Sequence, residues 1–237
     1  MKIKKVYAKS ILNPTGLSTD FCINPYTGCS HSCVYCYARF MKRYTNHQEE
    51  WGDFVDIKIN APQVLEKQLK NAKPGKVLLS SVCDPYQALE KKYKITRQIL
   101  KLLLAHNFSV SILTKSDLVL RDLDLLKKFK NSEVGFSLNT LSESVKEKFE
   151  PGSPSIKSRL KALKELHQAG IKTWVFIAPI LPGLTDAKKI KEKVSGIANW
   201  VWTDNLNIKC GNWPLILKVV KKHYPKLLAS FSARKPG

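Results

Sequence analysis

Residues 24–40 read NPYTGCSHSCVYCYARF, and this stretch places three cysteines within eight residues. Cys29, Cys33 and Cys36 follow a C-x3-C-x2-C spacing, directly after a predicted strand at residues 21–24 and a Pro/Gly turn. A loop this short brings three thiolates together, and thiolates are the usual ligands of iron-sulfur clusters. Three thiolates bind three irons of a cubane and leave the fourth iron open to a substrate or cofactor. The spacing therefore indicates a catalytic cluster at this loop.

A structural zinc site is an alternative interpretation of the same loop. It would combine the Cys33/Cys36 pair with Cys29 or His31 and with a distant Cys22 or Cys210. Structural zinc usually pairs two half-sites of the C-x2-C kind, and the sequence contains one such half-site. A redox-active pair at Cys33 and Cys36 is a third interpretation. The spacing favours the iron-sulfur cluster over both.

Beyond the cysteine loop, short apolar runs alternate with longer amphipathic segments, which is typical of βα units around a parallel sheet. Strands are predicted at residues 21–24, 76–82, 108–113, 133–138, 173–177 and 200–208. Helices are predicted at residues 95–104, 118–129, 156–169 and 187–197. About six βα units are too few for a closed eightfold barrel, so we expect an α/β fold of the partial (β/α)6 TIM-like barrel type.

The composition predicts one domain over residues 1–237, with its core at about residues 18–210 and short extensions at both ends. The 237 residues are 43% hydrophobic, which is enough for one sizeable core. No stretch resembles a signal peptide or an apolar membrane span, so we expect a cytoplasmic protein without a membrane partner. Six cysteines in such a chain indicate metal binding or catalysis rather than a disulfide framework.

The charge balance is strongly basic. There are 40 Lys and Arg residues against 19 Asp and Glu residues, which gives a formal net charge of +21. A field of this sign attracts polyanions, so nucleic acid or another anionic molecule becomes a candidate partner. Most of these cations are lysines scattered over polar helix faces, and solvation of the surface is the alternative explanation.

The motif CSHSCVYC resembles the signature of the radical S-adenosylmethionine (SAM) superfamily. The longer form NPYTGCSHSCVYCYAR resembles the branch of spore photoproduct lyase and DNA repair photolyase-like proteins. The similarity continues through SSVCDPYQALEKKYKITRQIL, GFSLNTLSE, EPGSPSIKSRLKALKELHQAGI and APILPGLTD. It implies a partial barrel of the radical SAM type, with a 4Fe-4S cluster held by Cys29, Cys33 and Cys36.

The resemblance also implies a reaction. SAM would bind the fourth iron, and an electron donor such as ferredoxin or flavodoxin would reduce the cluster. Reductive cleavage of SAM would then give methionine and a 5′-deoxyadenosyl radical, which abstracts a hydrogen atom from the substrate. The cofactors carry this chemistry, while the protein positions them and excludes water.

Five residues are candidate SAM contacts by the same resemblance. Tyr35 would lie against the adenine, and Asp84, Ser137 and Asn139, at predicted strand ends, would bind the amino group or the ribose. Arg159 would pair with the SAM carboxylate through a bidentate contact. Packing of Tyr35, helix capping by Ser137 and Asn139, and surface ion pairing by Arg159 are the structural alternatives.

Three residues are candidate catalytic groups. Cys83, at the end of the second predicted strand, would lie at the barrel mouth, where its thiol could donate a hydrogen atom as a cysteine of spore photoproduct lyase does. Tyr35 and Tyr37 form a Y-C-Y sequence with Cys36, and the resemblance gives them a part in moving the radical. Simple packing is the alternative for all three.

Two functions from different classes therefore follow from the sequence. The first is a radical SAM enzyme that acts on nucleic acid or another anionic substrate. The second is a non-catalytic, zinc-containing protein that binds nucleic acid through its positive charge. An assay for SAM cleavage distinguishes these two functions, because only the radical SAM enzyme would cleave SAM.

Overall fold

The computed structural model describes residues 1–232. Its strands are β1 (Lys2–Val6), β2 (Asn13–Pro14), β3 (Phe21–Ile23), β4 (Tyr26–Thr27), β5 (Phe54–Lys58), β6 (Lys76–Leu79), β7 (Ser109–Thr114), β8 (Ser132–Ser137), β9 (Lys172–Ile180) and β10 (Trp200–Asn205). Its α-helices are α1 (Ala61–Leu69), α2 (Glu90–Tyr93), α3 (Ile95–Ala105), α4 (Leu123–Leu126), α5 (Glu143–Phe149), α6 (Ile156–Gln168), α7 (Ala187–Val194), α8 (Trp213–His223) and α9 (Leu228–Ser232). Short 3-10 helices occur at Tyr37–Tyr44, Asp117–Asp122 and Pro225–Leu227.

Six parallel strands form the main sheet in chain order. β3, β6, β7, β8, β9 and β10 lie side by side, and each neighbouring pair is parallel. β2 pairs antiparallel with β3 at one edge, and the edge strands β2 and β10 are not paired with each other. The sheet is therefore open, and the predicted partial (β/α)6 architecture is confirmed. No helix within residues 1–232 is long and apolar enough to cross a membrane.

Four predicted elements end three residues earlier than expected, and β10 (Trp200–Asn205) and α7 (Ala187–Val194) are two of them. The second parallel strand stops at Leu79 because the Asn24 side chain accepts the backbone N–H groups of Ser81 and Val82, each at 3.0 Å, and removes them from the ladder. The helix predicted at residues 118–129 is a 3-10 turn followed by the short α4. Asp122 separates them, with φ −103° and ψ 13°, outside the α-helical range.

A second, three-stranded sheet was not predicted from the sequence. It has the order β1-β5-β4, in which β1 pairs parallel and β4 antiparallel with β5. The sequence of β1, KIKKV, is mostly exposed and charged, so it lacks the apolar run that signals a strand. This sheet lies beside the cysteine loop, since β4 directly precedes it.

The chain after β10 returns to cover the cysteine loop. Side chains of α8 and α9 join one apolar cluster with side chains of the loop and of α5. The buried members include Cys33, Tyr35, Phe149, Ile216, Val220 and Phe231. The C-terminal helices therefore shield the loop from water.

We predict that Gly135→Ala destabilises the protein by about 1–3 kcal/mol, because a Cβ at this position of β8 would lie 2.2 Å from the buried Trp174 ring on β9. Gly16→Ala is the matched control, since a Cβ there meets nothing within 4 Å. Urea denaturation followed by circular dichroism measures both variants. Equal stability of the two variants would contradict the packing argument.

Candidate active site

The three cysteines lie on the loop that follows β4, and none of them forms a disulfide. Backbone hydrogen bonds from Ser32 to the Cys29 carbonyl (3.2 Å) and from Cys36 to the Cys33 carbonyl (3.1 Å) fold this loop into successive turns. The indole N–H of Trp51 donates to the Cys36 sulfur at 3.3 Å. The loop therefore holds three free thiols in a compact, partly hydrogen-bonded arrangement.

The chemistry of this donor set suits a cluster of several irons. Burial raises the pKa of the Cys33 thiol to about 12, and it raises the pKa values of Cys29 and Cys36 as well, so a bound cation is needed to hold them as thiolates. Within residues 1–232, no group of three or more His, Cys, Asp or Glu side chains is arranged to hold a single metal ion. A cubane spreads its thiolates over separate irons, so these residues fit it better than they fit zinc.

Neighbouring segments fix the cysteine loop through polar contacts with its backbone. The side chain of Gln87 accepts from the Ser30 amide at 2.9 Å and donates to the Gly28 carbonyl at 3.3 Å. Gly152 donates its amide to the His31 carbonyl at 3.1 Å, and a Cβ at Gly152 would lie 2.1 Å from the Ser30 carbonyl oxygen. Only a glycine allows this close approach between the loop and the segment after α5.

A buried carboxylate, Glu150, lies directly behind the cysteine loop. The Tyr35 hydroxyl and the Arg159 guanidinium donate to it, Ser153 donates at 3.1 Å, and the Lys115 ammonium lies 4.0 Å away. Burial by itself raises the pKa of Glu150, but Lys115 and Arg159 more than offset that effect and lower it to about 2. The carboxylate is therefore ionised at neutral pH.

Arg159 is largely occupied by protein partners. Besides Glu150 and Ser153, its guanidinium donates to the backbone carbonyls of Ser137 and Pro154, each at 3.1 Å, and the residue is 2% exposed. The alternative of surface ion pairing is wrong, because the side chain is buried. These contacts make Arg159 an internal anchor between α6 and β8, and its pairing with the SAM carboxylate stays a prediction.

Lys115 is a cation at this site that the sequence analysis did not single out. It follows β7, and its ammonium lies 5.8 Å from the centre of the Tyr35 ring. Burial by itself lowers the pKa of Lys115, but Glu150 reverses the effect and raises it. Lys115 therefore keeps its charge within a largely buried setting.

Asp84, a predicted SAM contact, connects three segments of the barrel mouth. Its carboxylate accepts from the amides of Tyr86 and Lys115, both at 2.8 Å, and from the Thr114 hydroxyl at 2.7 Å. His31 on the cysteine loop lies 3.4 Å away, and its pKa is lowered by burial. Asp84 thus organises the loop and the ends of β6 and β7, and a direct contact with SAM stays a prediction.

Ser137 and Asn139 lie at the carboxyl end of β8, where the sequence placed them. Asn139 is 2% exposed, and its side-chain amide nitrogen is buried with no hydrogen-bond partner among residues 1–232. Ser137 is also buried. An unpaired buried donor is costly unless a bound molecule accepts from it, so Asn139 is a strong candidate for a ligand contact.

Tyr37 and Cys83 occupy the edge of the site. Tyr37 is 48% exposed, and its hydroxyl donates to the backbone carbonyl of Ser81. Cys83 follows two residues later and lies 3.4 Å from the Ser80 hydroxyl. Burial raises the pKa of Cys83 to about 11, so its sulfur stays protonated at neutral pH. The structure therefore brings these two residues together at one segment.

Asn24 holds that segment against the cysteine loop. Besides accepting from two backbone amides, its side chain donates to the Ser81 hydroxyl at 3.2 Å and lies 3.4 Å from the Cys22 sulfur. Cys22 packs among these groups, as expected of a buried thiol. The Cys210 sulfur lies 4.0 Å from the Cys36 carbonyl.

Sequence reasoning missed four residues that build the site, which are Asn24, Gln87, Lys115 and Glu150. Asn24 ends one predicted strand and Lys115 follows another, which was a usable signal because polar groups of such folds gather at the carboxyl ends of strands. Gln87 and Glu150 had no such signal. Their roles depend on contacts with residues that are distant in the chain.

We predict that Glu150→Gln destabilises the fold by about 3 kcal/mol at pH 7, because it leaves Arg159 and Lys115 buried without a counter-charge. The pKa of Glu150 in the folded state, about 2, lies below the ordinary 4.5. The ionised carboxylate therefore stabilises the folded state fully above pH 4.5, and this stabilisation is lost as the pH falls towards 2.

Urea denaturation of both proteins at pH 7 and pH 3 measures this effect. The difference in free energy of unfolding should narrow by about half at pH 3. A difference that stays constant with pH would show that the ion pair contributes nothing. Glu165→Gln, on the exposed face of α6, is the control and should change stability little at either pH.

Comparison with known proteins gives a consistent family assignment. An uncharacterized protein of Methanocaldococcus jannaschii is 43% identical over 211 residues, which are 88% of this chain and 79% of that protein. The Radical SAM Nalpha-GlyT isomerase of Pseudomonas phage M6 is 24% identical over 181 residues, covering 74% of this chain and 37% of the isomerase.

Among solved structures, spore photoproduct lyase complexed with dinucleoside spore photoproduct superposes with a TM-score of 0.64 at 18% identity, over 94% of this chain and 66% of the lyase. The chain thus spans less than two thirds of the lyase and of the phage isomerase, and the likeness to the lyase shows the fold. A sequence model of the Radical SAM superfamily matches residues 23–192. This chain therefore belongs to the Radical SAM superfamily, whose enzymes use S-adenosylmethionine and a 4Fe-4S cluster.

Proposed function

We propose that this chain is a radical SAM enzyme that abstracts hydrogen from a nucleic-acid substrate, with Cys83 as the hydrogen donor. The observation that carries the proposal is the set of three free thiols on one loop, with the charged residues Lys115, Glu150 and Arg159 behind it. Membership of a superfamily of enzymes sets aside the non-catalytic zinc alternative.

Cys29, Cys33 and Cys36 are the proposed ligands of the 4Fe-4S cluster. Bound to these thiolates, the cluster would supply the electron that cleaves SAM to methionine and a 5′-deoxyadenosyl radical. The protein contributes a rigid frame, because Gln87 and Gly152 fix the loop backbone. The N–H of Trp51 contributes a hydrogen bond to the Cys36 sulfur, which is one way a protein tunes such a centre.

SAM is proposed to bind against the carboxyl ends of β7 and β8. The unpaired amide nitrogen of Asn139 offers a donor, Ser137 lies beside it, and Lys115 offers a buried cation for the SAM carboxylate. Asp84 positions the backbone at Lys115, because its carboxylate accepts a hydrogen bond from the Lys115 amide. Tyr35 positions Glu150 through its hydroxyl and presents its ring toward Lys115.

Cys83 is the proposed donor of a hydrogen atom to the substrate radical. Its thiol is protonated at neutral pH, and a protonated thiol can transfer its hydrogen to carbon: the S–H bond breaks, a C–H bond forms, and the unpaired electron moves to sulfur. Tyr37 is the proposed relay, because its hydroxyl binds the carbonyl of Ser81, two residues from Cys83.

Nucleic acid is the substrate class that several observations favour together. The formal charge of +21 attracts phosphates. The lyase with the same fold holds a dinucleoside photoproduct, and the phage relative is named for the isomerisation of Nalpha-GlyT. These similarities support a nucleoside-containing substrate.

We predict that Cys33→Ala abolishes cluster binding and SAM cleavage, because it removes one of three ligands. The reconstituted protein should lose its broad visible absorption and form no 5′-deoxyadenosine with dithionite and SAM. Cys210→Ser is the matched control and should keep both properties. Formation of 5′-deoxyadenosine by Cys33→Ala would contradict the proposed ligand set.

We predict that Cys83→Ala keeps the cluster and SAM cleavage but loses hydrogen transfer to the substrate by at least about tenfold. In D2O the thiol carries deuterium, so the wild-type enzyme should label nucleosides of a DNA oligonucleotide, as mass spectrometry after digestion would show. Cys22→Ala is the control. SAM cleavage without label in any nucleoside would argue against nucleic acid, and equal labelling by Cys83→Ala would argue against the donor.

A further inference from the structure

An open basic groove of about 540 Å³ is lined by residues that include neither the three loop cysteines nor any proposed SAM contact. Its walls are the 3-10 helix at Tyr37–Tyr44 and the loop after β10. We define the basic groove by its four cations, which are Arg39, Lys42, Arg43 and Lys209. Nothing in the proposed reaction uses these residues.

The basic groove reaches the cysteine loop at Cys36. Arg39 follows Cys36 by three residues, and Cys210, which lines the groove, has its sulfur 4.0 Å from the Cys36 carbonyl. Cys36 is half-buried, whereas Cys29 and Cys33 are buried. A molecule in the groove would therefore lie beside the most accessible ligand of the cluster.

The positive charge of the basic groove is only partly neutralised by the protein. Glu50 pairs with Arg39 at 2.9 Å and approaches Lys42 at 3.8 Å. Arg43 and Lys209 have no acidic partner among residues 1–232, and the Arg43 guanidinium instead bonds the Tyr44 hydroxyl at 2.7 Å. Two free cations beside the cluster loop are an attractive surface for carboxylates.

The basic groove shares no residue with the inner charged site. Lys115, Glu150, Asn139 and Cys83 do not line it. A substrate must reach Cys83 and the SAM side of the cluster, so a partner in the groove has a different task. The cluster needs an electron from outside, and this groove lies on the side of its Cys36 ligand.

We propose that the basic groove is the docking surface for an acidic, one-electron carrier protein of the flavodoxin class. The proposal rests on the proposed function, since only a cluster at Cys36 needs this electron. One electron leaves the reduced carrier and enters the cluster, and no atom or proton is transferred. Weak redox complexes have small interfaces, and opposite charges guide their formation.

The test uses the reconstituted holoenzyme and purified flavodoxin. The double variant Arg43→Glu with Lys209→Glu reverses the two unpaired cations. The matched control, Lys188→Glu with Lys191→Glu, makes the same change in net charge on the exposed face of α7. Flavodoxin affinity is measured by calorimetry at low and high salt, and 5′-deoxyadenosine formation is measured with flavodoxin and with dithionite.

We expect the groove variant to lose at least about tenfold in flavodoxin affinity at low salt and a similar factor in the flavodoxin-driven rate. Its dithionite-driven rate should stay within about twofold of wild type. The α7 control should keep most of both properties. Unchanged affinity in the groove variant, or equal losses in the two variants, would overturn the proposal.

Nucleic acid is the other partner that a basic groove can bind. A loss of oligonucleotide affinity in the groove variant, with flavodoxin affinity intact, would overturn the proposal and assign the groove to the substrate. Failure of the proposed function is seen separately, because it leaves the wild-type protein unable to cleave SAM with dithionite. Flavodoxin affinity is still measured in that case and decides the docking question by itself.

Discussion

The buried carboxylate of Glu150 is the contact on which the site depends. It receives the Tyr35 hydroxyl from the cysteine loop and the Arg159 guanidinium from α6, and it lies near the Lys115 ammonium after β7. A buried ion of this kind is tolerated only when its partners are all in place. The cysteine loop is therefore linked to the barrel, and displacement of Tyr35 or Arg159 would remove a hydrogen bond from a buried carboxylate.

The parts of this molecule that local sequence determines were predictable. The C-x3-C-x2-C spacing identified the cysteine loop, and the alternation of apolar runs identified six parallel strands in the right order. Glu150 and Gln87 escaped prediction because their importance comes from contacts across the chain; Glu150 and Tyr35 are 115 residues apart. β1 was not predicted because its residues are mostly charged and pair with β5 through the backbone, so the sequence has no apolar pattern there.

The two groups of cations near the cysteine loop differ in what they can do. Arg159 and Lys115 are buried and share one carboxylate, so their positions are fixed inside the protein. Arg43 and Lys209 face an open groove and keep their charge available to a partner. The net charge of +21 therefore overstates the charge available to a substrate, since Arg159 and Lys115 are internal and the basic groove does not include Cys83.

The separation of the buried cations from the cations of the basic groove suits the proposed radical chemistry for a physical reason. A carbon radical must be kept from side reactions with groups other than its substrate, whereas an electron carrier has to bind and dissociate. The buried groups around Glu150 and the helices α8 and α9 pack against Cys33 and Tyr35 of the cysteine loop. Cys36 is half-buried beside the basic groove. The cysteine loop is thus packed against buried groups at Cys33 and Tyr35 and is accessible at Cys36, where the proposed electron carrier would dock.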